Sequence, residues 1–323
     1  MKPKTTTGSC VTMSSKLAIP ELPKQICGKW YKKVYSIHKR IGQGANGVVY
    51  LAESAGQKLA LKVGQEPLDM LMEVNMLKAV QQNAAEKIGP RLCDVDDIQL
   101  DGQTYTFYVM EFLQGEQLDK YIAQAGEEWV PILVLQLLNR LQILHEQGWI
   151  FGDLKPENMI VTYQDKQIRL IDFGGVTKIG NAVRQFTEDY DRATWQAGDR
   201  RAEIAYDLFS LAMVMIRLLL KPAEWKDLRV QTHEIQELCA IILNNERLYP
   251  YRIPLVRALH GKYDSADAMR QEMLASLQNR KKDQTARSHV RHQHGGDSAE
   301  KWIGGIFVAS LLLLAGSLYY AWL

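Results

Sequence analysis

The chain is poor in cysteine, poor in proline and without an excess of either charge. Its four cysteines (Cys10, Cys27, Cys93, Cys239) stand far apart in 323 residues, and no two form a Cys-x-x-Cys pair. That spacing excludes a zinc knuckle and a disulfide framework and leaves free thiols in a reducing compartment. Lys and Arg number 39 against 37 Asp and Glu, a net charge of +2. With no overall field of one sign, nucleic acid is not an expected partner. Only 10 prolines and an apolar content of 46% exclude a collagen-like or largely disordered chain. The opening residues, Met1-Lys2-Pro3-Lys4-Thr5-Thr6-Thr7-Gly8, hold no apolar segment, so no secretory signal is expected. What remains is length for one large or two modest globular domains.

Long apolar runs are scarce too, with one exception. Residues 303–323 contain no charge, and a helix of that length spans about 30 Å, the thickness of a bilayer core. Trp302 flanks one edge, and Tyr319, Tyr320 and Trp322 the other, as an aromatic belt does. One transmembrane helix is therefore expected over 302–323. A basic juxtamembrane linker is expected over 281–301, where Lys281, Lys282, Arg287, Arg291 and Lys301 outnumber Asp283, Asp297 and Glu300. Basic residues before the apolar segment and none after it place residues 1–301 on the cytoplasmic side of a cell membrane. Membrane lipid is then a partner of both helix and linker. Gly305 and Ala309 permit close helix packing and give a weak homodimer signal. Two shorter runs, Ile132–Leu144 and Leu208–Leu220, carry Arg140 and Arg217 and read as buried helices of a soluble domain.

Residues 1–28 show no periodicity and are expected to be an unstructured tail. From there the pattern is strand-like: Tyr35–Ile41, a glycine cluster, Val48–Ala52, a turn, then Leu59–Val63. Leu68–Val80 carries apolar residues at helical spacing. Two more strands follow, near Ile98 and at Thr104–Phe112, around an Asp101-Gly102 turn. Beyond Gly115 the chain reads as mainly helical, with short strands near Met159–Val161 and Ile168–Ile171. A β-rich first part and an α-rich second part imply two lobes with a cleft between them, an α+β fold.

Three clusters carry chemistry. Gly42-Gln43-Gly44-Ala45-Asn46-Gly47 lies between two strands, where glycines bring backbone N–H groups close to phosphate oxygens. A β-branched strand follows it, so it is not a dinucleotide fingerprint. Fifteen residues after Gly47 stands Lys62, placed to reach the same phosphates. Downstream, Asp153-Leu154-Lys155-Pro156-Glu157-Asn158 sets a carboxylate, an ammonium and an amide within six residues. Fourteen residues past Asn158 comes Asp172-Phe173-Gly174, a strand-end carboxylate suited to Mg²⁺.

Together these residues resemble the eukaryotic-type (Hanks-type) Ser/Thr protein kinase family, over a domain spanning 29–280. The resemblance implies a two-lobed protein-kinase-like fold with an antiparallel N-lobe and a helical C-lobe. It implies that Ile41, Gly42, Gly44, Gly47, Val49, Ala60, Met110, Glu111, Leu113 and Ile160 surround ATP. Lys62 is then the phosphate-binding lysine, with Glu73 as its ion-pair partner and Glu66 as the alternative. Asp153 is implied to be the catalytic base and Lys155 the neutraliser of the transferring group, with Asn158 and Asp172 as Mg²⁺ ligands. Asp207 resembles the family's buried anchor of the catalytic loop.

The chain departs from the family in two places. Phe151-Gly152-Asp153 stands where His-Arg-Asp is usual, so no arginine waits for a phosphorylated activation loop. No Ala-Pro-Glu follows Gly175, only Asp189-Tyr190-Asp191-Arg192-Ala193-Thr194-Trp195. Activity independent of loop phosphorylation is expected, with the loop threonines Thr177, Thr187 and Thr194 dispensable together. The leading reading is a membrane-anchored kinase of protein Ser/Thr hydroxyls, resembling a bacterial member of the family. The alternatives are a membrane pseudokinase, acting as scaffold or nucleotide sensor, and a small-molecule phosphotransferase of the same fold.

Overall fold

The computed structural model describes residues 19–44, 46–81, 87–184, 186–230 and 234–279. Six strands form an antiparallel sheet: β1 (Gln25–Cys27), β2 (Val34–Gly44), β3 (Gly47–Ser54), β4 (Gln57–Gly64), β5 (Leu92–Leu100) and β6 (Gln103–Glu111). Their order is β1-β2-β3-β4-β6-β5. Helix α1 (Pro67–Gln81) connects β4 to β5. Tight turns at Ala55-Gly56 and Asp101-Gly102 join β3 to β4 and β5 to β6, and all four residues have positive φ, the signature of twist-compatible hairpins.

Alternation along the strands divides the sheet into two faces. On β4, Leu59, Leu61 and Val63 join Val48, Tyr50, Phe107 and Val109 in one cluster on the outer face. Ala60, between them, belongs to the inner cluster with Met70, Val74 and Leu77 of α1, and Lys62 shares its face. A one-residue slip would drive Lys62 into the apolar outer face, so this pattern fixes the register.

The outer face corrects the reading of residues 1–28 as an unstructured tail. β1 pairs with β2 from Gln25↔Ser36 to Cys27↔Val34. Leu22 and Ile26 are buried in the outer cluster against Tyr35. Two apolar side chains in a polar segment gave no periodic signal, yet they cover a sheet face that would otherwise meet water. Residues 1–18 lie outside the described part.

The second lobe is built on α2 (Leu118–Ala125), α3 (Trp129–Glu146), α4 (Ile204–Leu219), α5 (Pro222–Val230), α6 (Ile235–Asn244) and α7 (Arg252–Leu259), and α8 over 266–279. From Tyr206 to Ile216 every residue of α4 is buried. A helix apolar on nearly every side sits inside the protein, and α3 and α7 pack against it. Short strands complete the lobe. β7 (Gly115–Gln117), β9 (Met159–Thr162) and β10 (Ile168–Leu170) form one sheet, and β8 (Trp149–Ile150) pairs with β11 (Thr177–Lys178). Cys27, Cys93 and Cys239 are free thiols. Among the described residues no helix is long and apolar enough to cross a membrane. The expected linker and span at 281–323 lie outside them.

Candidate active site

Lys62 and Glu73 meet because β4 and α1 each turn one face to the cleft. Lys62 Nζ lies 2.7 Å from Glu73 Oε2 and 3.0 Å from Asp172 Oδ1. Burial pulls the Lys62 ammonium toward neutrality, but the two carboxylates outweigh it and hold its pKa above the ordinary lysine value. Glu73 is almost wholly buried and is satisfied three ways. Besides Lys62, the Tyr108 hydroxyl donates to it at 2.7 Å and Asn46 Nδ2 at 3.1 Å. Tyr108 stands opposite Lys62 in the β4–β6 register. Its burial, then the Glu73 charge, push its own pKa well up, so it stays a donor. Glu66 is exposed ahead of the helix and takes no part.

The second group sits on the loop after β8. Asp207 on α4 is fully buried and accepts the N–H groups of Phe151 at 2.8 Å and Gly152 at 2.9 Å. His145 Nε2 lies 2.9 Å from the same carboxylate. A buried carboxylate must find such donors, and in finding them it fixes the loop's path. Phe151 packs edge-on against Phe173, ring centroids 5.8 Å apart. Gly152 has φ +83°, and a Cβ there would lie 2.5 Å from the Gly175 carbonyl oxygen. The two glycines let the catalytic loop and the segment after Asp172 touch backbone to backbone.

Beyond this anchor the reactive side chains converge on Asp153. Lys155 Nζ lies 2.6 Å from Asp153 Oδ2. Asn158 Nδ2 donates to the Asp153 carbonyl at 3.0 Å and to Oδ2 at 3.2 Å. Ile171 N–H bonds to the Asn158 carbonyl at 2.9 Å, which sets Asp172 beside this cluster. Asp172 itself has φ +62°, a conformation uncommon outside glycine. A Cβ added to Gly44 would lie 3.6 Å from Asp172 Oδ2, so the glycine loop lies directly over that carboxylate.

The remaining predicted residues lie on β2, β3, β4, β6 and β9 and in the connection after β6. Gly42 pairs with Val49 and Gly44 with Gly47 across the β2–β3 turn, with Ile41 exposed at its start. A Cβ at Gly47 would stand 2.2 Å from the Val63 carbonyl oxygen, so only glycine fits there. Ala60 and Met110 pair across β4 and β6, and both are buried. Glu111 and Leu113 begin the crossing to the second lobe, and Ile160 lies on β9 below it. Gly115 lets β7 approach β9 closely, since a Cβ would meet Val161 O at 2.4 Å and Ile160 Cγ2 at 2.6 Å. A larger hollow of about 780 Å³ is walled by outer-face residues such as Lys39, Tyr50 and Glu66. It meets the glycine loop at Gly44, Asn46 and Gly47 but holds none of Lys62, Glu73, Asp153, Lys155, Asn158 and Asp172.

The protein kinase domain family matches residues 35–294. The chain belongs to the protein kinase family. It is a serine/threonine-type member. The serine/threonine-protein kinase YabT of Bacillus subtilis is 44% identical to it over 251 residues, covering 77% of this chain and 73% of YabT. Serine/threonine-protein kinase PAK 1 of Mus musculus is 27% identical over 199 residues, 58% of this chain and 35% of that protein. A solved structure of vaccinia related kinase 3 shares the fold, with TM-score 0.56 and 17% identity over 81% of this chain and 93% of the other.

The segment that follows Asp172 in this kinase holds what sequence reasoning missed. Thr187 Oγ1 donates to Asp153 Oδ1 at 2.9 Å and accepts from Lys155 Nζ at 3.1 Å. Thr187 is therefore part of the cluster around Asp153, a placement that sets it apart from the other two loop threonines. Thr177 Oγ1 donates to the Gly175 carbonyl at 2.9 Å, and Thr194 Oγ1 to Asp191 Oδ2 at 2.9 Å. Asp191 is buried and also accepts from the Tyr206 hydroxyl at 2.7 Å and pairs with Arg200 at 2.8 Å. Burial raises its pKa, but the bonds from Tyr206, Arg200 and Thr194 outweigh this and hold it below the usual carboxylate range. Arg192 bonds Asp199 and Glu203. In place of an Ala-Pro-Glu motif, the segment is tied down by its own carboxylates.

Proposed function

We propose that this chain transfers the γ-phosphoryl group of ATP, with Mg²⁺, to serine and threonine hydroxyls of proteins while anchored to the cell membrane by residues 302–323. The observation that carries the reaction is the meeting of Lys155, Asn158 and Thr187 around the single Asp153 carboxylate. Such a carboxylate can hold an incoming hydroxyl by its proton and draw that proton off as the oxygen attacks. Lys155, already within reach of it, offsets negative charge gathering beside the hydroxyl. The donor set suits a hard cation. With Nδ2 committed to Asp153, Asn158 keeps Oδ1 for a metal, and Asp172 offers a carboxylate whose side chain is 40% exposed. When bound, Mg-ATP supplies the phosphoryl group and its leaving group. Lys62 and the backbone N–H groups of Gly42, Gly44 and Gly47 would hold its phosphates, and Val49, Ala60, Met110 and Ile160 its base.

The same reading makes the kinase active without loop phosphorylation. Gly152 offers no cation to a phosphate, and Thr177 and Thr194 are already bonded inside the fold. The apolar, uncharged stretch at 303–323 and its basic flank support a single-pass anchor with the catalytic domain in the cytoplasm.

The test is transfer of ³²P from ATP by the full chain in detergent, beside Asp153→Asn. We expect labelling by the wild type, retained nucleotide binding by the variant, and a loss of labelling of about 10²–10⁴-fold, the range for removing a general base. Equal labelling by both sinks the kinase reading; none by either, with nucleotide still bound, leaves a pseudokinase. The full chain should resist alkaline carbonate extraction from membranes, and its recovery in the wash would refute the anchor.

A further inference from the structure

A second cavity, of about 330 Å³, opens beside Asp153, with Lys155 and Thr187 in its wall. Both residues touch Asp153. A polypeptide whose hydroxyl reaches that carboxylate must therefore lay a neighbouring side chain over the cavity. At about 3.3 Å per residue of extended chain, that neighbour is one to three positions from the acceptor.

The cavity floor is aromatic. Trp225 and Tyr190 are buried and stacked, with centroids 6.2 Å apart at 22°. Arg217, from the last turn of α4, lies over the Trp225 ring with its guanidinium carbon 5.6 Å from the centroid. Burial, then the Glu157 charge, push the Tyr190 hydroxyl pKa up, and the charge and hydrogen bond of Arg217 oppose the rise, so the guanidinium also faces that neutral phenol.

Counting charges around the cavity isolates Arg217. Lys155 is paired with Asp153 at 2.6 Å, and Arg229 with Asp189 at 2.7 Å. Glu157 and Arg217 are left, and neither makes an ion pair among the described residues. They differ in their access to water. Glu157 is exposed at the rim, whereas Arg217 is half-buried. A solvated carboxylate needs no partner, but the Arg217 guanidinium has lost part of its water to an indole and a phenol and gains no ion pair among the described residues in exchange. Its planar fork lies over Trp225 and carries the N–H donors that carboxylates and phosphates accept.

We propose that this cavity is a substrate-recognition subsite in which Arg217 binds an acidic side chain flanking the phosphorylated serine or threonine. The proposal rests on the protein-kinase reading and adds the substrate class. Both a glutamate or aspartate and an already phosphorylated residue carry the required anionic oxygens.

The test uses the full chain in detergent and peptides with one fixed acceptor. Each flanking position in turn carries Glu, phosphoserine, Gln or Arg. At one position within three residues of the acceptor, we expect kcat/KM for Glu or phosphoserine to exceed that for Gln by about tenfold, chiefly through KM. The larger of the two names the source of the acid. In Arg217→Glu the ratio should invert in favour of the Arg peptide. Arg217→Gln, which keeps a similar length and polarity, should bring the Glu-to-Gln ratio close to one. A merely structural role for Arg217 would lower all peptides alike and leave the ratios unchanged, and that result overturns the subsite. So does a wild-type preference for Arg, or none at all. Failure to label any peptide or protein would overturn the kinase reading itself, and the subsite with it.

Discussion

Gly152 occupies the position at which the family usually carries an arginine, and its backbone explains why no side chain stands there. With φ +83° and the Gly175 carbonyl 2.5 Å from where a Cβ would be, any larger residue meets both strain and a clash with main chain. We expect Gly152→Arg to lower stability by about 2–4 kcal/mol, read as a fall in Tm, rather than to create a phosphate-responsive enzyme. Gain of loop-phosphorylation dependence at unchanged Tm would contradict this. Thr187 bears on the same loop from the other side. Losing its donor to Asp153 frees the carboxylate to turn, so Thr187→Ala should cut kcat by about 10–100-fold. Thr187→Ser, which keeps the hydroxyl, should restore most of it. Equal rates for the alanine and serine variants would argue against a positioning role.

Legibility at this scale follows sequence separation. The residues that converge on Asp153 from its own loop, Lys155 and Asn158, lie within five positions of it, and their spacing could be read directly. Thr187 is 34 positions from Asp153, His145 62 from Asp207, and Asn46 and Tyr108 are 27 and 35 from Glu73. Each reaches its partner by tertiary folding, and a lone Thr, His, Asn or Tyr carries no local signal. Glu73 was legible because it stands on the inward stripe of α1 with Met76, Leu77 and Val80, while Glu66 precedes Pro67.

Among the elements, the segment from Thr187 to Glu203 is held by the buried rings of Tyr190 and Trp195 and by a set of polar groups. Its hub is Asp191, whose carboxyl is held below the usual range. A depressed folded-state pKa contributes stability above the ordinary carboxylate value of about 3.9, and that contribution disappears as pH falls through the lower folded value. Asp191→Asn should therefore lower stability by about 2–4 kcal/mol near neutral pH, since it removes the negative charge that Arg200 pairs with and one of the two oxygens that accept from Tyr206, Arg200 and Thr194. The gap between variant and wild type should narrow as pH falls below the ordinary carboxylate value and through the lower folded one. Proteolytic nicking within 187–203, followed over pH, reads this directly, and a gap that does not vary with pH would refute it. The strands and long helices were legible from alternation and apolar runs, because both faces of the sheet and all sides of α4 are packed. The three-residue strands β1 and β7 were not, because three residues cannot display a period and are held only by their partners β2 and β9.

At the scale of the whole molecule, the segment ahead of β2 is structural. Leu22 and Ile26 seal the outer face of the sheet whose inner face carries Lys62. We expect removal of residues 1–28 to reduce Tm by about 5 °C or more, from the loss of two buried aliphatic side chains and one strand pairing, each side chain worth about 1.5–3 kcal/mol. An unchanged Tm would return those residues to the status of a tail.

The backbone contact between Gly152 and Gly175 has one more consequence. Lys62, Glu73 and Asp172 already touch, Asp153 is already aligned, and the usual socket for a regulatory phosphate has been closed by main chain. On the proposed reading, a catalyst assembled in this way needs no phosphate to order it, and its output in the cell would follow the number of copies made and the hydroxyls brought within reach of them.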